Sequence, residues 1–362
     1  MVHRIRTIDA HAAGEPLRLI IDGFPAPRGR TMLDKRAWVK AHADHLRKAL
    51  MWEPRGHLDM YGALLTEPVS EGADAGVLFM HNEGLSTMCG HGIIAVVTIA
   101  LERGLLTAAR PSGDILFDSP AGPIRATARL LDATPGTSEA ASPAGPARDA
   151  AEPHLRGTAP PATVRVGSVA FINVPSFVSH AGLPIRVGSR DVRVDVAFGG
   201  AFYAIVDSEA VGLPIDALHL MDLRRAGMEI KHAVEAARRI VHPADPGLNG
   251  IYGTIFTGPP NDPSADLRNV TIFADAEVDR SPCGTGTSAV MAVLDAMNVL
   301  PAGRPFVHES LIGTTFRGRI AGREMVGDVP AIRPELEGSA WITGEHTFLV
   351  DDDDPLREGF RI

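Results

Sequence analysis

The sequence predicts an α/β (α+β) protein built from two similar domains, and three observations carry that prediction. Short runs of alternating apolar and polar residues recur between glycines and prolines, the mark of half-buried strands. Helix-periodic stretches interrupt those runs. A pattern surrounding each of the two cysteines occurs twice, which indicates a duplicated unit. A length of 362 residues suits two domains of ordinary size.

In the first domain the strand-like runs are Leu17–Ile21, Gly76–Met80 and Ile115–Phe117. From Met32 to Met51, apolar Met32, Leu33, Ala37, Val39, Leu46 and Leu50 recur among charges, so one amphipathic helix is expected. Pro54 and Gly56 make Trp52–His57 a loop. Residues 132–163 shift to Ala, Pro, Gly, Ser and Thr, too polar to offset their ordering entropy, and are expected to form a flexible insertion. Strand-like runs resume at Val164–Val166, Ser168–Ile172 and Val192–Phe198. A helical stretch near Leu218–Ile240 follows, then strands at Gly253–Phe256 and Val270–Phe273. The expected division is residues 1–165 with 340–362 as one domain and 166–339 as the other. Asp351 to Pro355 reads as a solvated charged turn.

The formal net charge is −9, so no basic surface is available to neutralise a phosphate backbone, and no nucleic-acid partner is expected. No apolar run reaches the length of a membrane span, and the first residues lack a signal-peptide core, so a cytoplasmic protein is expected. Two cysteines exclude a disulfide framework and a four-thiolate zinc site. The histidines show no metal-ligand spacing, so no metal is expected.

The duplicated pattern lays Thr87-Met88-Cys89-Gly90-His91-Gly92-Ile93-Ile94-Ala95-Val96 over Ser281-Pro282-Cys283-Gly284-Thr285-Gly286-Thr287-Ser288-Ala289-Val290. Each copy follows a strand and opens a helix-periodic run, Ile93–Arg103 or Ser288–Val299. A thiol just before a helix start sits beside unpaired N–H groups and the positive end of the dipole. Its pKa is expected to fall from about 8.5 into the range of roughly 3.5–7.5. The same N–H groups, approached closely through glycine, form an anion site suited to a carboxylate. Two such helix starts converging on one carboxylate would set a base on either side of the adjacent carbon. One thiolate then removes the α-proton while the opposite thiol delivers another, and the centre inverts. This chemistry requires no cofactor, and the scarcity of lysine speaks against a pyridoxal phosphate aldimine.

Other readings of the same residues stand beside this one. Buried filler is the ordinary fate of a lone cysteine, but both cysteines occupy one position of a repeat. Gly90-x-Gly92-x-x-Ala95 and Gly284-x-Gly286-x-x-Ala289 match a dinucleotide fingerprint, which makes a dinucleotide-binding protein the remote alternative. In that fold the first glycine follows its strand directly, whereas Asp275–Pro282 intervenes here. Asp279 reads equally as a turn residue or as the partner of a substrate ammonium. His91 reads equally as a partner of the first thiol or as a group solvating the helix end.

At these motifs the chain resembles the proline racemase family, nearly end to end apart from the Ala/Pro-rich insertion. The matching stretches are Asp9-x-His11-x-x-Gly14-x-Pro16-x-Arg18, Glu53-Pro54-Arg55-Gly56-His57-x-Asp59-Met60, Met88–Gly92 and Asp279–Ala289. The resemblance implies a diaminopimelate-epimerase-like architecture: two similar domains, each a curved, mostly antiparallel sheet around a central helix, with the active site in the interdomain cleft. It also implies a cofactor-free catalytic pair, Cys89 and Cys283. Carried over by position, Gly90, His91, Gly284 and Thr285 would hold the carboxylate and Asp279 the ring nitrogen, while Tyr61 and Phe273 would wall the ring.

Within the family the motifs divide. Asp59–Ala63, His81–Gly84, Tyr252–Thr254 and the tail Asp352–Phe360 look like the trans-3-hydroxy-L-proline dehydratase branch, whose members typically carry Thr at the second cysteine position. Cys283 and His308–Gly313 look like the racemases and epimerases. Gly253 stands where 4-hydroxyproline epimerases tend to carry a pocket histidine. Since inversion needs two strong bases and elimination one, Cys283 favours a racemase or epimerase acting on proline or a hydroxyproline. The dehydratase is the alternative, and a homodimer stays open.

Overall fold

The computed structural model describes residues 1–106, 114–131, 164–301 and 303–362. The predicted insertion at 132–163 lies outside the described residues.

The two halves of the chain repeat one order of strand pairing. In the first, Val2–Ala12 runs antiparallel to Glu15–Asp22, which lies parallel to Tyr61–Thr66. Tyr61–Thr66 is antiparallel to Ala75–His81, itself antiparallel to the short Leu85–Ser86 and parallel to Asp114–Ser119. In the second, Arg190–Phe198 runs antiparallel to Phe202–Asp207, which lies parallel to Gly253–Gly258. Gly253–Gly258 is antiparallel to Leu267–Phe273, itself antiparallel to Glu277–Asp279 and parallel to Phe306–Glu309. The repeated cysteine pattern is therefore one part of a repeated topology. Ala340–Asp351 returns to pair with Val2–Ala12, and Val329–Gly338 pairs with Arg165–Ile172, so the halves share one continuous sheet.

The helices of the first half are α1 (Met32–His42), α2 (Asp44–Met51) and α3 (Gly90–Glu102). The second half holds α4 (Ser208–Val211), α5 (Leu220–Ala237) and α6 (Gly284–Ala296). Thr31 caps α1 in a capping box with Asp34. The single helix expected over Met32–Met51 is two. Ala43 leaves helical geometry at φ −134°, and in the second helix the Arg47 guanidinium donates to the carbonyls of His81 and Asn82.

Helices α3 and α6 are the cores of their halves. Every residue from Gly90 to Ala100, and from Gly284 to Val293, is buried. A helix apolar on all sides must be surrounded. Strands Val2–Ala12, Arg165–Ile172 and Ala340–Asp351 pack on α3, and Phe177–Val187, Arg190–Phe198 and Val329–Gly338 on α6. Full burial of Ile93, Ile94, Val97 and Ile99 contributes about 1.5–3 kcal/mol each. Both helices begin earlier than their apolar periodicity predicts, because the opening Gly-x-Gly turn carries too few apolar side chains to show it. No helix among the described residues is long and apolar enough to cross a membrane. This arrangement of two sheet-wrapped central helices is the diaminopimelate-epimerase-like fold.

Candidate active site

Cys89 and Cys283 are the N-cap residues of α3 and α6. Each sulfur accepts from the third N–H of its helix, Cys89 Sγ from Gly92 N at 3.2 Å and Cys283 Sγ from Gly286 N at 3.4 Å. Glycine is required there: a Cβ on Gly92 would lie 2.8 Å from Cys89 Sγ, and one on Gly286 2.9 Å from Cys283 Sγ. The first N–H groups of each helix have no intrahelical acceptor, so both starts present donors.

One pocket takes in both thiols. Its walls include Gly90, His91, Gly284 and Thr285 from the helix starts, Asp279 from the strand before α6, and Tyr61 and Phe273 from strands of the two halves. All nine residues singled out in the sequence are therefore brought together. The room left for water is about 20 Å³, space for about one molecule.

The two thiols are held differently. Cys89 has ordinary extended geometry, with the His91 ring 3.3 Å from its sulfur. Cys283 sits at φ +62°, ψ +106°, a conformation that costs a non-glycine residue about 1–3 kcal/mol. A network fixes it: the Cys283 N–H donates to Ser281 Oγ at 3.1 Å, and Ser281 Oγ donates to Asp279 at 2.7 Å. Behind it, the Pro282 carbonyl accepts from Asn269 and Thr287, and both of those side chains bond His308.

The electrostatics correct the expectation of acidic thiols. Burial pushes both thiols up, and the Asp279 carboxylate pushes them further. The N–H bonds at the helix starts act in the opposite direction, as the local reading anticipated, but desolvation outweighs them. His91 is neutral, its pKa lowered to about 4 by burial, and its Nδ1 is 4.0 Å from Asp279. Asp279 also accepts the Ser281 N–H at 2.9 Å, so it is both a turn residue and a carboxylate facing the pocket.

Residues outside the sequence shortlist complete the walls. Tyr203 shares a hydrogen bond with Thr285 Oγ1 at 2.6 Å and lies 3.8 Å from Cys283 Sγ. Tyr252 stacks on Phe273, with centroids 5.4 Å apart. A composition signal marks them: the chain has three tyrosines, and all three line this pocket. Outside the pocket, Glu15 from the first half accepts from Arg280 of the second at 2.7 and 3.0 Å, tying the halves together at the residue next to Asp279. Of the matched motif residues, Asp9 and Arg18 pair with each other under Phe348, a structural role. A Cβ on Gly253 would lie 2.4 Å from the Ile272 carbonyl, so no histidine fits there without displacing backbone.

Two thiol-capped helix starts sharing one pocket inside this fold define the class: an enzyme of the isomerase and lyase type. The profile of the proline racemase family matches residues 7–140 and 151–361, and the chain belongs to that family. It is 47% identical to a trans-3-hydroxy-L-proline dehydratase of Bacillus cereus, over 98% of this chain and 97% of the relative. It is 41% identical to a 3-hydroxyproline 2-epimerase of Burkholderia multivorans, over 99% of this chain and 98% of the relative. Among solved structures, a hydroxyproline epimerase of Agrobacterium vitis with bound trans-4-hydroxy-L-proline superimposes with a TM-score of 0.85 at 29% identity, covering 99% of this chain and 95% of that one.

Proposed function

We propose that the chain removes the α-proton of trans-3-hydroxy-L-proline and expels the 3-hydroxyl as water, leaving a cyclic ketimine. The observation that carries the proton transfer is the meeting of the two thiol-capped helix starts in one pocket. The substrate class is supported by relatives at 41–47% identity whose names share 3-hydroxyproline. The N–H groups at Gly90, His91, Gly284 and Thr285 hold the carboxylate, and Asp279 faces the ring nitrogen. Bound this way, the cationic nitrogen offsets Asp279, which after desolvation is the largest cause that keeps the thiols protonated. One thiolate, steadied by the N–H of Gly92 or Gly286, then takes the α-proton.

Inversion at the α-carbon is the second reading, favoured by one observation: Cys283 supplies a thiol where dehydration needs none. In that reaction the opposite thiol returns a proton to the other face, Cys89 and Cys283 exchanging roles with direction. Incubation in deuterated water with trans-3-hydroxy-L-proline, proline and 4-hydroxyproline, followed by NMR, separates the two. Loss of the ring hydroxyl from the 3-hydroxy substrate is expected. Inverted, α-deuterated product with its hydroxyl intact would replace dehydration by epimerisation, and no reaction at any α-carbon would sink both.

A further inference from the structure

Tyr61, Tyr252 and Phe273 touch one another as one aromatic wall of the pocket, at centroid separations of 6.2 and 5.4 Å. Tyr61 comes from the first half and Tyr252 from the second, yet their hydroxyls lie 3.4 Å apart. The Tyr61 hydroxyl also shares a 2.6 Å hydrogen bond with Ser86 Oγ. Tyr252 and Ser86 line, in addition, a separate cleft of about 970 Å³. The row Tyr252, Tyr61, Ser86 therefore runs from a pocket with room for about one water to a cleft open to solvent.

The third tyrosine is committed elsewhere, since Tyr203 is bonded to Thr285 beside Cys283. With the helix starts occupied by the carboxylate and Asp279 by the nitrogen, the Tyr61 and Tyr252 hydroxyls are the polar groups of the aromatic wall that faces the rest of the ring. Burial holds both phenols well above their usual range, so they keep their protons at neutral pH and are donors. A leaving hydroxide is basic enough to take one.

Resting on the dehydration reading, we infer that the Tyr61–Tyr252 hydroxyl pair binds the 3-hydroxyl and donates the proton with which it leaves as water. A thiolate takes the α-proton, and the C–H electron pair becomes the second bond between the α- and β-carbons. The C3–O bond breaks, and the oxygen departs with its electron pair and the tyrosine's proton. Ser86 passes a proton from cleft water back to the tyrosinate, while the thiol releases the α-proton to solvent, so protons balance. The enamine then moves its N–H proton to C3 and becomes the ketimine.

Tyr61→Phe and Tyr252→Phe, each incubated with trans-3-hydroxy-L-proline in deuterated water, test the role through two readouts: α-deuterium and ketimine. Dehydration is expected to fall by about 10²-fold, a typical general-acid contribution. Exchange at the α-carbon is expected to continue, so that deuterated but still hydroxylated substrate accumulates, as it does not with the parent enzyme. A merely structural role would lower exchange and dehydration together, and that result overturns the assignment. Parent-like dehydration in both variants overturns it too. Absence of ketimine from the parent enzyme removes the dehydration reading and the donor with it, a failure visible before any variant is made.

Discussion

A Cβ placed on Gly90 would lie 2.5 Å from the Cα of Gly284, and one placed on Gly284 would lie 2.5 Å from the Cα of Gly90. The starts of α3 and α6 thus meet backbone to backbone across the two halves of the chain. That contact sets the two capping thiols on one pocket, on which both helix N-termini open.

Gly90→Ala and Gly284→Ala are therefore expected to part the helix starts. A displacement of about 1 Å is enough to cost roughly 10²-fold in rate, and overpacking costs about 1–3 kcal/mol in stability. Turnover of trans-3-hydroxy-L-proline and urea unfolding measure the two effects. Full activity in both alanine variants would mean that the close approach is incidental.

Cysteine substitution separates the chemistries, because inversion uses two bases and elimination one. Cys89→Ser and Cys283→Ser are each expected to lower inverting α-deuteration by about 10²–10⁴-fold, and at most one of them to abolish ketimine formation. Loss of ketimine in both would show that dehydration also depends on the second thiol.

The bridge between halves at Glu15 and Arg280 should matter for stability. Glu15 is fully buried, and desolvation and Asp279 raise its pKa while Arg280 restrains it. Arg280→Ala removes the guanidinium and leaves that carboxyl only the backbone N–H of residue 280, a loss expected to cost about 3 kcal/mol. Adding Glu15→Gln to Arg280→Ala is expected to recover much of the loss in urea unfolding. No difference between the single and double variants would remove the ion pair from the account.

His308 provides a pH dependence with a definite sign. Burial lowers its pKa to about 3 from 6.5, so the folded protein holds it neutral while the unfolded chain protonates it. Its contribution is complete above pH 6.5 and is lost as pH falls toward 3, where unfolding takes up a proton. Between pH 6 and 4 the stability of the parent should fall more steeply than that of His308→Asn, by up to about 1.4 kcal/mol per pH unit. Equal slopes in urea titrations would mean that His308 does not titrate on unfolding. His91, lowered to about 4 by burial, acts in the same direction and is present in both proteins.

Much of the site was legible in the primary structure because its chemistry is local. A cysteine followed by Gly-x-Gly at a helix start is a contiguous pattern, and its second copy pointed to Cys89 and Cys283 as equivalents before any contact between them was known. Residues such as Tyr203 and Tyr252 lie in no such pattern. They reach the pocket because parallel pairing of Phe202–Asp207 with Gly253–Gly258 brings their two chain segments side by side. The break at Ala43 was equally hidden, since Arg47 finds its acceptors at His81 and Asn82, far along the chain.

Periodicity, turn residues and the duplicated cysteine motif were enough to indicate a duplicated unit with a thiol at the start of a helix in each copy. Whether those thiols are acidic was decided only in three dimensions. A helix dipole is a property of neighbours in the chain, but desolvation comes from every strand wrapped around the helix, and here it is the larger effect. The same wrapping brings three distant tyrosines to one pocket, which no run of adjacent residues could encode.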